Sequence, residues 1–74
     1  MEIIVPKLGF SMEEGTLAEW LLPDGSHVEK GAPLYTLESD KSAQEIESPG
    51  AGTLKILADA GGTYRVGTVI GLLT

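Results

Sequence analysis

Short apolar runs recur along the whole chain, and each run ends at a residue that favours a turn. The runs are four to seven residues long, and they read EIIV, TLAEWLL, PLYTLE, AQEIE, TLKILA and TVIGLL. Gly, Pro, Asp or Ser bounds each of them, and short strands at regular spacing with such boundaries are typical of an all-β sandwich or barrel. No stretch keeps a helical period long enough to compete. The pattern therefore predicts an all-β fold.

An internal repeat doubles this pattern. The segment GTLAEWLLPDGSHVEKGAPLYTL, from Gly15, aligns with GTLKILADAGGTYRVGTVIGLL, from Gly52. The turn glycines of the two copies are Gly25 and Gly31 in the first and Gly62 and Gly67 in the second, and we expect positive φ at these positions. Two similar strand sets, each with one apolar face, can cover one another, so the repeat predicts two packed sheets with approximate two-fold symmetry. Chance similarity between short strands is the alternative explanation.

Composition narrows the classes of function. We expect one domain spanning residues 1–74, and its lack of cysteine excludes a disulfide framework, a thiolate metal site and a thiol nucleophile. A net charge of −6 disfavours nucleic acid and anionic membrane surfaces, because both reward clustered Lys and Arg. No apolar run approaches the length that spans a bilayer, and the opening residues do not resemble a signal peptide. We expect a soluble domain of a reducing compartment.

An acidic hairpin carries a single lysine. If Asp40 and Lys41 are the central pair of a tight turn, the lysine projects outward from a braced tip. The register then pairs Ser39 with Ser42, Leu37 with Gln44 and Tyr35 with Ile46. The outward face then carries Thr36, Glu38, Glu45 and Glu47.

The ordinary explanation of Lys41 is a solvated lysine in a turn. A Schiff-base lysine fits poorly beside carboxylates, because that role needs an apolar or cationic environment, so the position suits a lysine that is modified.

A long motif surrounds this lysine. It reads PKLGFSMEEGTLAEWLLPDGSHVEKGAPLYTLESDKSAQEIESPGAGTL, and Glu-Ser-Asp-Lys-Ser followed by Glu-Ile-Glu and Pro-Gly is its most specific part. With this motif the chain resembles, over residues 2–74, a lipoyl domain of the acyltransferase component of a 2-oxo acid dehydrogenase complex. The resemblance implies a flattened barrel, or barrel-sandwich hybrid, of two four-stranded antiparallel sheets with internal pseudo-two-fold symmetry. It also implies that lipoate is amide-linked to Lys41. A recombinant chain can lack this lipoyl group.

The resemblance assigns roles to residues around the lysine. Recognition by a lipoate ligase or lipoyl transferase is expected to involve Glu38, Asp40 and Ser42, with simple turn formation as the alternative for Asp40 and Ser42. A loop after the first strand matches a segment by which the decarboxylase of such a complex recognises its own domain. Its expected recognition residues are Leu8, Phe10, Met12, Glu13 and Glu14. For Phe10 and Met12, packing over the end of the barrel is the alternative.

The implied function is that of a carrier rather than an enzyme, with no catalytic residue of its own. The implied partners are a thiamin-diphosphate-dependent decarboxylase, an acyltransferase core and dihydrolipoyl dehydrogenase, and the isolated domain is expected to be monomeric.

The opening PKLGFSMEEG resembles the lipoyl domains of pyruvate-type or acetoin-type complexes more than those of 2-oxoglutarate-type complexes. The chain is either excised from a larger acyltransferase or free-standing. We expect the bacterial cytoplasm as its location, because no transit peptide is seen, with the mitochondrial matrix as the alternative.

Two other classes of domain share the expected fold. Biotinyl carrier domains typically place methionine on both sides of their modified lysine, whereas Asp40 and Ser42 stand there in this chain. Unmodified hybrid-barrel modules occur in membrane-fusion adaptor proteins, but they have no reason to keep a lysine in an acidic tip. His27 has no second histidine or cysteine to complete a ligand set, so no metal site is expected.

Overall fold

The computed structural model describes residues 1–39 and 42–74, and these residues form eight short strands. The strands are β1 (Glu2–Ile4), β2 (Glu14–Trp20), β3 (His27–Val28), β4 (Pro33–Glu38), β5 (Ala43–Glu47), β6 (Gly52–Ile56), β7 (Thr63–Arg65) and β8 (Val69–Leu73). Within this described part of the chain there is no helix long and apolar enough to cross a membrane. The all-β prediction is confirmed.

The strands form two antiparallel sheets of four. One sheet has the order β1-β8-β6-β3, and the other has the order β5-β4-β2-β7. Each strand of the first sheet corresponds to the strand four places further along the chain, when the count continues from β8 to β1. The strands β1, β8, β6 and β3 then correspond to β5, β4, β2 and β7, which is the order of the second sheet. The two halves of the sequence therefore build equivalent parts of opposite sheets. This arrangement confirms the two-fold symmetry that the repeat predicted.

The core lies between the two sheets and is made of aliphatic residues and one tyrosine. Its fully buried members are Ile3, Val5, Leu17, Val28, Leu34, Tyr35, Leu37, Leu54, Ile70 and Leu73. Most follow the alternation of a strand that buries one face. Leu34 and Tyr35 are consecutive and yet both buried, because the pairing of β4 with β5 shifts register between Pro33 and Tyr35. A bulge of this kind turns two neighbouring side chains toward the same side.

Trp20 closes the core at the end of β2. Its indole is half-buried and lies 5.4 Å from the ring of Tyr35, measured between centroids, at an interplanar angle of 58°. The indole Nε1 donates a hydrogen bond to the carbonyl of Ala58 at 3.0 Å. A tilted aromatic pair with a satisfied indole N–H is a favourable way to bury such a large side chain. Trp20 therefore has a packing role.

The turn in the second copy of the repeat lies one residue earlier than predicted. Gly61, not Gly62, has the positive φ, and its amide donates to the carbonyl of Leu17 at 2.6 Å. Gly25 makes the equivalent bond in the first copy, from its amide to the carbonyl of Leu54 at 2.7 Å. The assignment of a positive φ to Gly62 was therefore wrong. Gly62 is needed for space instead, because a Cβ there would lie 2.5 Å from the hydroxyl of Tyr64.

Candidate cofactor-attachment site

Strands β4 and β5 form a hairpin whose register is the one predicted. Tyr35 pairs with Ile46, Leu37 with Gln44 and Glu38 with Ala43. Beyond the last pair, the amide of Ser39 donates a hydrogen bond to the carbonyl of Ser42 at 2.8 Å. The hydroxyl of Ser39 donates to the same carbonyl at 3.2 Å. Ser39 and Ser42 are thus hydrogen-bonded to each other, and only two residues of the sequence lie between them.

Asp40 and Lys41 make up that link in the sequence, and both lie outside the described residues. Their expected roles, cofactor attachment for Lys41 and enzyme recognition for Asp40, stay predictions. The described neighbours Ser39 and Ser42 nevertheless fix where the link begins and ends. Two residues between paired antiparallel strands form the shortest common hairpin connection. The sequence therefore leaves two residues, the predicted attachment lysine among them, to connect the described ends of the two strands.

The outer face of the hairpin is acidic. Glu38, Glu45 and Glu47 are exposed, and Thr36 is half-buried on the same face. The inner face is apolar, with Tyr35 and Leu37 buried and Ile46 half-buried. Over residues 33–47 the sequence contains one cation, Lys41, amid these carboxylates. Such a surface attracts a cationic partner surface and disfavours an anionic one.

The segment between β1 and β2 packs beside the turn end of this hairpin. Together they form a groove of about 440 Å³. One wall contains the five predicted loop residues, and the lining consists of Leu8, Gly9, Phe10, Ser11, Met12, Glu13, Glu14, Ser39, Ser42 and Gln44. The structure thus places the loop and the flank of the attachment position side by side. Of the three residues expected to interact with the ligase, Ser42 lines the groove, whereas Glu38 lies outside it on the acidic face.

Two apolar residues of the loop have opposite environments. Phe10 is fully exposed, with 103% of its reference surface accessible. Met12 is half-buried and packs against the core, and its Sδ accepts a hydrogen bond from the amide of Leu8 at 3.1 Å. Its Cε lies so close to Gly15 that a Cβ on that glycine would be only 2.8 Å away. Met12 therefore packs over the barrel end, whereas Phe10 is free to contact a partner.

Sequence reasoning did not single out Ser39 or Gln44 as site residues. Gln44 pairs with Leu37 and so has the strand position of an inward-facing residue, yet it is exposed. The reason is that the end of the barrel opens into the groove at this point. The sequence did contain one signal for Gln44. It has a polar amide side chain two residues before Ile46, at a position where strand alternation predicts an apolar side chain.

His27 is an exposed residue with a local partner. Its Nε2 lies 2.8 Å from Oε1 of Glu29, and both side chains are mostly accessible to solvent. An exposed pair of this kind contributes little to stability. Across residues 1–39 and 42–74, no three His, Cys, Asp or Glu side chains come together as a set that could hold a metal ion.

The family follows from the sequence match. Residues 1–73 match the biotin/lipoyl family model, which is described as "Biotin-requiring enzyme". The chain belongs to the biotin/lipoyl carrier family. A solved structure in this family is similar to the chain. The solution structure of the lipoyl domain of the 2-oxoglutarate dehydrogenase complex from Azotobacter vinelandii superposes on it with a TM-score of 0.81. That match is 28% identical in sequence and covers 100% of this chain and 95% of the other.

Relatives in the biotin/lipoyl carrier family are larger proteins. The acetyltransferase component of the acetoin cleaving system of Cupriavidus necator is 42% identical, over 96% of this chain and 19% of its own length. The succinyltransferase component of the 2-oxoglutarate dehydrogenase complex of Bacillus subtilis is 43% identical, over 99% and 18%. The acetyltransferase component of the pyruvate dehydrogenase complex of Corynebacterium glutamicum is 46% identical, over 93% and 10%. The chain thus spans less than a fifth of each of these relatives.

These matches confirm the predicted family and fold. The chain is a lipoyl domain by family and by architecture, and it has the fold of a carrier domain rather than that of an acyltransferase. Attachment of the cofactor to a lysine is a property of the family. The three relatives belong to acetoin, 2-oxoglutarate and pyruvate systems at nearly equal identity. Sequence identity alone therefore favours none of the three systems.

Proposed function

We propose that Lys41 is amide-linked through its Nζ to lipoate and that the domain is the lipoyl carrier of a 2-oxo acid or acetoin dehydrogenase complex. One observation carries the proposal. The two-residue link that contains Lys41 is bounded by a hydrogen-bonded pair, Ser39 and Ser42, at the end of a regular hairpin. This hairpin belongs to a domain whose fold matches a solved lipoyl domain along its whole length.

The other lysines of the chain do not have this position. Lys7 lies in the segment between β1 and β2, and Lys55 lies within β6, paired with Leu72. Lys30 lies in a turn between β3 and β4, which belong to different sheets. An enzyme that recognises a lysine between two paired strands would therefore select Lys41.

The residues around the link suit a covalently held cofactor. Lipoate supplies a dithiolane that can carry acyl groups and reducing equivalents, chemistry that this cysteine-free chain lacks. Formation of the amide removes the positive charge of Lys41, which leaves a wholly acidic hairpin. The ladder of strands β4 and β5 runs up to Glu38 and Ala43, so the described residues nearest to Lys41 in the sequence belong to a regular hairpin. The contribution of the protein is placement of the group rather than catalysis.

The proposed partners follow from the systems to which the relatives belong. They are a thiamin-diphosphate-dependent decarboxylase, an acyltransferase core and dihydrolipoyl dehydrogenase, with a lipoate ligase or lipoyl transferase for attachment. The exposed ring of Phe10 and the carboxylates Glu13 and Glu14 in the groove wall support a contact of this loop with the decarboxylase. A carrier tethered in such a complex meets each enzyme at high effective concentration, so weak contacts suffice. We propose a pyruvate or acetoin system in a bacterial cytoplasm.

The proposal is tested by incubating the domain with lipoate, ATP and a lipoate ligase and measuring its intact mass. Lys41→Arg keeps the charge but cannot form the amide, so the lipoyl mass increase should vanish in that variant. Lys30→Arg is the matched control, because it changes a turn lysine elsewhere, and it should be modified as fully as the unaltered chain. An equal increase in Lys41→Arg would refute the attachment site.

A further inference from the structure

We propose that Ser39 is a positioning residue for the modification of Lys41. Its hydroxyl and its amide together hold the Ser42 carbonyl, and this fixes the two ends of the hairpin link before an enzyme binds. The inference rests on the proposed function, because it concerns the same site. It assigns to Ser39 a role that the sequence motif did not suggest.

Both hydrogen-bond donors of Ser39 converge on one atom. The backbone N–H lies 2.8 Å and the hydroxyl Oγ lies 3.2 Å from the carbonyl oxygen of Ser42. The regular ladder ends one step earlier, at the pair Glu38 and Ala43. The bonds of Ser39 are therefore the last described connection between the two strands. A carbonyl that accepts two hydrogen bonds from one residue has less freedom to rotate than one held by a single bond.

The neighbouring side chains cannot replace this hydroxyl. Glu38 and Glu45 carry carboxylates, which accept hydrogen bonds but do not donate them. Glu38 also points to the outer face, away from the groove. Ser39 is half-buried at the groove wall, and its hydroxyl donates to the Ser42 carbonyl in a hydrogen bond that is accessible to solvent. A hydroxyl at position 39 is thus the chemical feature that supplies the second bond.

Preorganisation explains why such a bond would matter for modification. Acylation of an amine requires its nitrogen at a defined position, and small misplacements of a reacting group are costly. A neutral hydrogen bond shifts a local equilibrium by roughly two- to tenfold. If fewer molecules hold the competent tip, apparent affinity for the enzyme falls in proportion, whereas turnover of the bound complex does not change. Loss of the hydroxyl should therefore raise KM and leave kcat unaltered.

Ser39→Thr and Ser39→Val form a matched pair, since the two side chains have the same shape and only threonine has a hydroxyl. We expect Ser39→Thr to keep the KM of the unaltered domain for lipoate ligase, and Ser39→Val to raise it roughly two- to tenfold with the same kcat. Ser39→Ala should behave like Ser39→Val and serves as the second variant if valine impairs folding. The Tm of each variant, from circular dichroism, shows whether the fold is retained.

A small acylating reagent separates positioning from reactivity. N-acetoxysuccinimide needs no docking, so Lys41 should be acetylated at equal rates in the threonine and valine variants, as measured by peptide mass spectrometry. Equal KM values for these two variants would overturn the role of Ser39 while leaving the carrier function intact. A fall in acetylation rate parallel to the ligase effect would also overturn it. Absence of lipoylation in the unaltered domain would overturn the proposed function and this inference together.

Discussion

The phenol hydroxyl of Tyr35, in one sheet, donates a hydrogen bond to the carbonyl of Ile4, in the other sheet, at 3.3 Å. Tyr35 is 1% exposed, and its ring lies against Trp20. The side chain thus belongs to the hairpin whose strands flank Lys41 in the sequence, and it also connects the two halves of the domain. The stability of the barrel and the geometry of the attachment hairpin are therefore linked through one residue of β4.

This burial predicts a specific loss of stability at high pH. Burial raises the pKa of Tyr35 from 10.0 to about 12. Because the folded pKa exceeds the unfolded one, the contribution is complete below pH 10 and is lost as the pH rises through 12. We expect the free energy of unfolding to fall by about 2 kcal/mol over this range because of this group. Urea unfolding of Tyr35→Phe should lack that part of the decrease, and identical pH slopes in both proteins would contradict the account.

A second prediction concerns the core beneath the hairpin. Leu37→Ala removes a fully buried side chain that pairs across the sheet with Leu17, and it should lower the free energy of unfolding by roughly 2–5 kcal/mol. Leu57→Ala is the matched control, since Leu57 is 51% exposed and should cost less than about 1 kcal/mol. Chemical denaturation measures both. Similar losses for the two leucines would show that Leu37 is not part of the core.

A third prediction concerns the exposed phenyl ring. Phe10→Ala should leave Tm unchanged, because the ring is fully exposed and contributes nothing to the core. It should lower kcat/KM for acyl transfer from the cognate decarboxylase to the lipoylated domain by roughly five- to thirtyfold, as expected for an aromatic anchor in an interface. Leu57→Ala again serves as the control and should retain full activity. An unchanged kcat/KM in Phe10→Ala would remove the loop from the decarboxylase contact.

A fourth prediction concerns the choice between lipoate and biotin. Asp40→Met combined with Ser42→Met gives the lysine the flanking residues typical of biotinyl domains, and we expect this double variant to accept biotin from a biotin ligase. The unaltered domain should accept none. Streptavidin gel shift after incubation with biotin, ATP and the ligase measures the modified fraction. Biotinylation of the unaltered domain to the same extent would show that these two positions do not set the choice.

Local patterns in the sequence predicted the parts of the structure that depend on local rules. Alternation of apolar residues gave the correct pairing of Tyr35 with Ile46 in the attachment hairpin. Alternation does not account for the burial of Leu34, because the bulge that buries it beside Tyr35 depends on how β4 fits against β5. The repeat predicted the two sheets but misplaced a positive φ at Gly62, since packing of Tyr64 against that glycine is a tertiary effect.

The groove could not be predicted from either pattern. It joins the loop that contains Phe10 and Met12 to Ser39 and Gln44, which are about thirty residues further along the chain. No periodicity of the loop indicates that Met12 packs on the core while Phe10 remains in solvent. This contact depends on the whole barrel, because the loop spans its end. Family resemblance had given these residues a role but not their opposite environments.

The most direct test of the account is to map the modified residue after the domain has been incubated with lipoate, ATP and a lipoate ligase. Proteolysis followed by tandem mass spectrometry assigns the lipoyl mass to one lysine among Lys7, Lys30, Lys41 and Lys55. The account predicts that the peptide containing Lys41 carries the whole of it. Modification of another lysine, or none in a folded domain, would contradict the account.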